Sequence, residues 1–516
     1  MKKFTILFAL YFIGISIIKA QPIMYRTNGT YGSGIYSLDS LPNSNFVFAI
    51  RGGIYPNYHV IIRADSSGNI LWQKNTLSSA LEQASMPEVV GSKNNIYYTA
   101  QLNTTNGTKF TITKFNSQAN TLWVKDFQSS GTNFKNATTE DFNGGIIMGG
   151  GGCSGNNFLI RIDSSGNFVW KKQYLTNDMS GSAVQVLQKT KDHHFLVASQ
   201  KQNSQAKHSM LIYKVDTLGN VDWMKELTVD TLSSHIFWPT SIREDNLGNI
   251  YVTSLITTPY PELQTLLKLD PNGNLVFFSQ VIGADLEFND VFFDNNNAPI
   301  VIGKGYFTRP NKLYGLTIKF DENSGGILDA RKIINNETYP DSTICFRKAI
   351  KLNSNKSIIA GDYFECYVNI LDNSFMQTCI SETLNLSVNN YPYHFTSPTV
   401  NYQPLYFTDS VANTYQVTNS AVVIDSLCID PHAALTSIDA EEKLLAFPNP
   451  ATNTLTIKNI TRQTVIRLYD ALGKLVIEKE IESNTTFDIS NLTQGVYTLI
   501  AEDGKGKAFN KVLITK

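Results

Sequence analysis

Histidines, cysteines and paired carboxylates are the side chains that most often carry chemistry, and this chain of 516 residues spends them sparingly. Its seven histidines, His59, His193, His194, His208, His235, His394 and His432, make no His-Glu-x-x-His zinc pattern. His193 and His194 are adjacent, so in a strand they point to opposite faces. Gly152-Cys153-Ser154-Gly155 lacks the Gly-x-Ser-x-Gly spacing of a nucleophile elbow, and no strand-to-helix turn surrounds it. The run from Gly149 to Gly152 has no Gly-Lys-Ser/Thr after it to cradle a phosphate. Asp321-Glu322-Asn323 falls short of the Asp-x-Asp-x-Asp-Gly calcium pattern. The expectation is therefore no catalytic residue, no metal set and no cofactor. Carboxylates from distant parts of the chain can still meet across a channel, which keeps acid-pair hydrolysis as the alternative.

The cysteines Cys153, Cys345, Cys366, Cys379 and Cys428 contain no Cys-x-x-Cys, and only Cys428 has a neighbouring histidine, His432. One or two local disulfides are expected, with at least one thiol left over from the odd number. A formal charge of −1 argues against a broad attraction to nucleic acid or anionic membrane.

The elements that must position any site are set by a repeat. Asp65-Ser66-Ser67-Gly68-Asn69-Ile70-Leu71-Trp72 returns with starts at 116, 163, 216, 270, 321 and, more faintly, 372. A period of about 50 residues with several short strands per unit marks a propeller or an array. In each copy Asp starts a turn by accepting from backbone two residues on. Gly supplies the positive φ where a type I turn closes a hairpin through a bulge. Trp72, Trp123, Trp170 and Trp223 then read as packing between neighbouring units rather than as ligand platforms.

Seven such units of four strands fill residues 21–388, with no helical pattern, which predicts an all-β chain built on a seven-bladed β-propeller. Pro22 to Thr27 aligns with a fourth strand that lacks its own unit, and is expected to pair into the last unit and shut the ring. Short turns gather on one face. The other face collects variable loops that carry Tyr55, Tyr58, Tyr260, Tyr306, Phe307, Arg309 and Tyr363, with Trp238 opening the fifth unit. Tyr, Trp and Arg dominate binding hot spots, so these residues are the candidate ligand face. Their competing role is to pack loops onto the rim.

Arg161-Ile162-Asp163-Ser164-Ser165-Gly166-Asn167-Phe168-Val169-Trp170-Lys171-Lys172 and Lys214-Val215-Asp216-Thr217-Leu218-Gly219-Asn220 resemble the repeats of secreted bacterial β-propellers. They resemble pyrroloquinoline-quinone repeat propellers more distantly, without that family's catalytic residues. The resemblance speaks to architecture alone.

The ends give the address. Lys2 and Lys3 before the apolar run Phe4 to Ile18, closed by Ala20, describe a cleaved signal peptide at residues 1–20. No second hydrophobic stretch in the mature chain is long enough for a transmembrane segment. Residues 389–436 break the repeat and read as an extra β segment, a hairpin on the last unit near Cys428, followed by a linker. Residues 437–516 read as a separate small module of six short strands, an immunoglobulin-like β-sandwich. In it, Phe447-Pro448-Asn449-Pro450-Ala451, Leu468-Tyr469-Asp470-Ala471-Leu472-Gly473-Lys474 and Leu492-Thr493-Gln494-Gly495-Val496-Tyr497 resemble the type A C-terminal sorting domain of the type IX secretion system. That resemblance implies that residues 437–516 meet the secretion machinery. The chain would then cross the periplasm and outer membrane, and end at the cell surface or outside the cell. The sequence thus points to a non-catalytic propeller that captures a glycan or protein ligand, with an extracellular hydrolase of polysaccharide or peptide as the alternative.

Overall fold

The computed structural model describes residues 22–27, 34–51, 58–77, 83–92, 95–104, 107–128, 132–152, 157–229, 236–257, 262–282, 286–306, 313–333, 344–352, 356–363, 365–371, 381–389, 392–404, 408–411, 416–419, 422–426, 445–458, 460, 462–470, 474–503 and 506–515. The expected signal segment 1–20 and residues 427–444, with Cys428 and the expected boundary at 437, lie outside them. The chain divides into two compact units, Met1–Cys428 and Ile429–Lys516.

The first unit is all antiparallel sheet. Its described strands form seven sheets of five strands. In every sheet the innermost strand belongs to one set: Gly34–Leu41, Gln83–Ser92, Thr132–Glu140, Met179–Lys189, Ile236–Glu244, Leu286–Phe293 and Ile344–Lys351. Each of these touches the next in chain order, and Ile344–Lys351 touches Gly34–Leu41, so the circuit closes. Apolar side chains from facing sheets fill the spaces between them. Leu38, Phe46 and Val60 of the first sheet pack on Ile350, Ile358 and Val368 of the last.

The repeated turn forms as its residues dictate. Gly68 N donates to the Asp65 carbonyl at 2.9 Å, and Asp65 N to the Asn69 carbonyl at 3.0 Å. Asp65 Oδ1 accepts from the backbone of Ser67 and Asn69. Gly68 sits at φ 84, and Ala119 takes the same left-handed place at φ 66 where its copy has no glycine. A register shift follows the turn in the first six sheets, which is the expected bulge. Trp72, Trp123 and Trp170 each donate from the indole to a carbonyl in the next sheet's turn. These tryptophans join sheets, as their spacing suggests.

The first and last described strands of the first unit both lie in the last sheet. Pro22–Thr27 lies antiparallel to Glu365–Leu371 on one side and to Val422–Ser426 on the other. The segment after 380 differs from the expected hairpin. Its strands Ser381–Thr383, Ser387–Asn389, Tyr393–Thr396, Val400–Pro404, Thr408–Val411, Gln416–Asn419 and Val422–Ser426 add one fifth strand to each sheet in turn. They run from the sixth sheet back to the first and finish on the seventh. The physical reason is edge protection, since each four-stranded sheet leaves a row of unpaired backbone groups at its rim.

The second unit has a three-stranded and a four-stranded sheet around one core. Leu455, Ile457, Ile466, Leu468, Phe487, Leu499 and Val512 fill that core. All six expected strands are present, and Leu445–Phe447 adds one more.

Candidate functional site

The seven innermost strands expose their inner edges to a common space. Each carries a register shift, between Ile35 and Ser37 in the first and between Phe346 and Lys348 in the last, and Met179–Lys189 carries two. The same break recurs in the other five. A bulge re-aims the residues beside it, and here polar side chains meet near the axis where no ladder joins one sheet to the next.

Many of them serve as bridges between those unjoined edges. Ser37 Oγ accepts from Val89 N at 3.0 Å, and Asp39 Oδ2 accepts from Gly91 N at 2.8 Å. Asp290 is wholly buried and takes bonds from Arg243 at 2.9 Å, from Ala349 N at 3.0 Å and from the Ser241 hydroxyl. Burial pushes the Asp290 carboxyl up, but Arg243, Lys348 and these bonds outweigh it and hold the group below the usual range. Lys189 pairs with Glu140, and Lys191 N donates to Glu244 at 2.8 Å.

These strands and the short turns that follow them enclose a cavity of about 850 Å³. Acidic groups come mainly from the first three sheets, as Asp39, Glu88 and Glu140, with Glu244 from the fifth, and cationic groups from later ones, as Lys189, Arg243 and Lys348. Phe142, Phe292 and Phe293 add apolar surface. Two carboxyls stand out. Burial pushes Glu88 up to about 8, against the pull of Thr138 and Lys348. Burial also lifts Asp39 to about 6, against the bonds from Gly91 and Ser40 and the charge of Arg243. At neutral pH a protonated Glu88 therefore stands near a largely ionised Asp39, and a pair of this kind can give and accept a proton.

The aromatic residues singled out from the sequence lie elsewhere. Tyr58 opens the strand Tyr58–Ala64, Trp238 lies near the start of Ile236–Glu244, and Tyr306 and Tyr363 end Pro299–Tyr306 and Ser357–Tyr363. All four are at the variable-loop ends of strands in the first, fifth, sixth and seventh sheets, and Trp238 and Tyr306 are not among the residues that line the cavity. Tyr306 is 39 % exposed, with Lys304 Nζ 5.5 Å from its ring centre. Tyr55, Tyr260, Phe307 and Arg309 lie outside the described residues. The cavity opens among the short turns, at the opposite ends of the strands.

The sequence reading missed Asp39, Glu88, Gln185, Arg243 and Lys348. The available signal was polar side chains two to five residues before the short turn of a first strand, where a buried strand calls for apolar ones. Cys345 is buried, and its Sγ accepts from Asn289 Nδ2 at 3.8 Å among the described residues. Cys153, Cys379 and Cys428 lie outside them. No group of three or more His, Cys, Asp or Glu residues suited to a metal occurs among the described residues.

Residues 445–515 match the family described as the secretion system C-terminal sorting domain. A domain of this kind indicates delivery to the cell surface or the extracellular space. No helix among the described residues is long and apolar enough to cross a membrane. No curated protein sequence matches the chain. Among solved structures, PorZ, a surface component of the type IX secretion system of Porphyromonas gingivalis, aligns over 93% of this chain and 81% of its own, at 9% identity and TM-score 0.22. The polysaccharide lyase Uly1 aligns over 69% of this chain and all of its own, at 8% identity and TM-score 0.41. An α-L-arabinanase from Penicillium chrysogenum, complexed with arabinobiose, aligns over 69% of this chain and 98% of its own, at 12% identity and TM-score 0.34.

Proposed function

We propose that this protein is a type IX secretion cargo whose seven sheets are the blades of a closed β-propeller. The propeller captures a glycan or protein ligand outside the cell, and an immunoglobulin-like tail directs export. The observation that carries this reading is the closed circuit of inner strands around one large polar cavity. A rigid ring that holds polar groups in fixed places binds without first ordering itself. The aromatic set Tyr55, Tyr58, Trp238, Tyr260, Tyr306, Phe307, Arg309 and Tyr363 is the rival ligand face.

A second reading has a specific observation behind it. Glu88 and Asp39 sit in one cavity with carboxyls displaced upward by different amounts, which suits a hydrolase using an acid pair. A glycan array on the mature chain, residues 21–516, run beside a hydrolase panel, separates the two. Ligand retention without turnover supports capture. Turnover abolished by Glu88→Gln or Asp39→Asn establishes the hydrolase instead. Export is tested by fusing residues 437–516 to a reporter in a type IX-competent host, where retention in the periplasm contradicts it.

A further inference from the structure

Most polar groups on the cavity wall are already committed to the fold. Arg243 is held by Asp290 and by Gln188 at 3.1 Å. Lys189 is held by Glu140, and Lys191 Nζ by the Asp245 carbonyl at 3.2 Å and Asn246 at 2.8 Å. Asp39 accepts from the Gly91 and Ser40 amides. What remains is different in kind. Glu88 Oε2 and Gln185 Nε2 are shielded from bulk water and find no hydrogen-bond partner. Lys348 places an ammonium on the same wall, near enough for its charge to act on Glu88. A buried polar atom left unsatisfied is costly, so such atoms on one cavity wall call for a partner the fold itself does not supply.

The geometry points to the hub cavity as a ligand site for a short, uncharged, hydroxyl-rich saccharide, held by Glu88, Gln185 and Lys348. This rests on the capture reading above and places it at the hub. The groups with capacity to spare are one carboxyl oxygen, one amide and one ammonium, and with Glu88 protonated at neutral pH the single positive charge of Lys348 is offset by the ionised Asp39 on the same wall. Sugar hydroxyls, each both donor and acceptor, satisfy such a set. A polyanion would need uncommitted cations, and here Arg243, Lys189 and Lys191 are already taken. Phe142, Phe292 and Phe293 supply flat apolar faces for the C–H side of a sugar ring. The volume, about 850 Å³, lies in the range of small-molecule sites.

The test uses the mature chain on a neutral-oligosaccharide array, followed by calorimetry with the strongest hit. Glu88→Leu, Gln185→Leu and Lys348→Met are compared with Tyr306→Ala and Trp238→Ala, each variant first shown to melt cooperatively. Gln185→Leu is the reserve variant should changes at Glu88 or Lys348 impair folding. Affinity is expected to fall about tenfold or more in the hub variants, the loss of roughly one good bond, and to stay within about twofold in the loop-face pair. Binding that survives every hub change overturns the hub site and leaves capture standing. Failure of the unmodified protein to bind any saccharide overturns the site and the glycan form of the capture reading together.

Discussion

Arg161 and Thr217 are 56 residues apart in sequence, yet Arg161 Nη1 donates to the Thr217 carbonyl at 2.7 Å. Trp170 Nε1 reaches that same carbonyl at 2.9 Å. The cation two residues before the turn Asp and the indole seven after it thus converge on one atom of the next sheet. Arg63 and Trp72 do the same at Ser117, and Lys114 and Trp123 at Ser164. The repeat is a clasp between neighbouring sheets, and Lys356 carries the clasp across the closure by donating to the Ser66 carbonyl at 2.9 Å.

The clasp separates two substitutions. Trp170→Phe keeps a ring but removes one hydrogen bond, and is expected to cost about 1 kcal/mol in urea unfolding. Arg161→Ala also strips the partner from Asp141, whose side chain is 1 % exposed and 2.9 Å away. A buried charge left unpaired raises the cost to about 3–5 kcal/mol. Equal losses in the two variants would count against the clasp.

The turn geometry gives a pair of opposite outcomes. Gly166 lies at φ 85, and a Cβ there meets Lys125 Cδ at 3.0 Å. Gly166→Ala should destabilise by about 1–2 kcal/mol. Ala119 already sits at φ 66. Relief of that strain, less the entropy a glycine loses, should make Ala119→Gly stabilising by about 0.5 kcal/mol. Melting curves of both proteins check the signs.

Glu88 makes stability depend on pH. Its carboxyl rises from 4.5 in the unfolded chain to about 8 in the ring. The folded state therefore holds the proton more tightly. Its contribution is complete below pH 4.5 and is lost as pH climbs through 8. Asp39, lifted from 3.8 to about 6, adds the same sign lower down. The charges acting on Glu88 are Lys348 and Asp39, with Thr138 beside it. The unmodified protein should melt lower at pH 9 than at pH 5, and Glu88→Gln should remove on the order of 2 kcal/mol of that difference. An unchanged slope in the variant would refute the assignment.

The belt that begins at 381 protects seven edges at once, so ending the first unit at 380 should expose every rim. Light scattering should then show association, alongside a lower melting temperature. A monomeric truncation with the parent melting point would contradict this.

Asp65-x-x-Gly68-Asn69 and its copies made the four-strand unit legible, because Asp, Gly and Trp at fixed spacing pin the third and fourth strands through local bonds. Leu455, Ile457, Ile466 and Leu468 alternate in the tail and made its strands legible too. The belt was not legible. Ser381–Thr383 and Ser387–Asn389 have three residues each and no turn signature, and their order comes from partners far back in the chain. The hub was equally hidden. Glu88, Gln185 and Lys348 come from three sheets, and no spacing in sequence announces that closure brings them together. The aromatic loops drew attention instead, because hot-spot residue types are visible without any fold.

Hydrogen exchange at Pro22–Thr27 tests the closed ring most directly. That strand is held between Glu365–Leu371 and Val422–Ser426, so its amides should exchange as slowly as those of Phe195–Asn203 in the fourth sheet, and far faster once the chain is ended at 411. Rapid exchange of these amides in the intact protein, or protection that survives the truncation unchanged, would contradict a ring locked by the first and last strands of its unit.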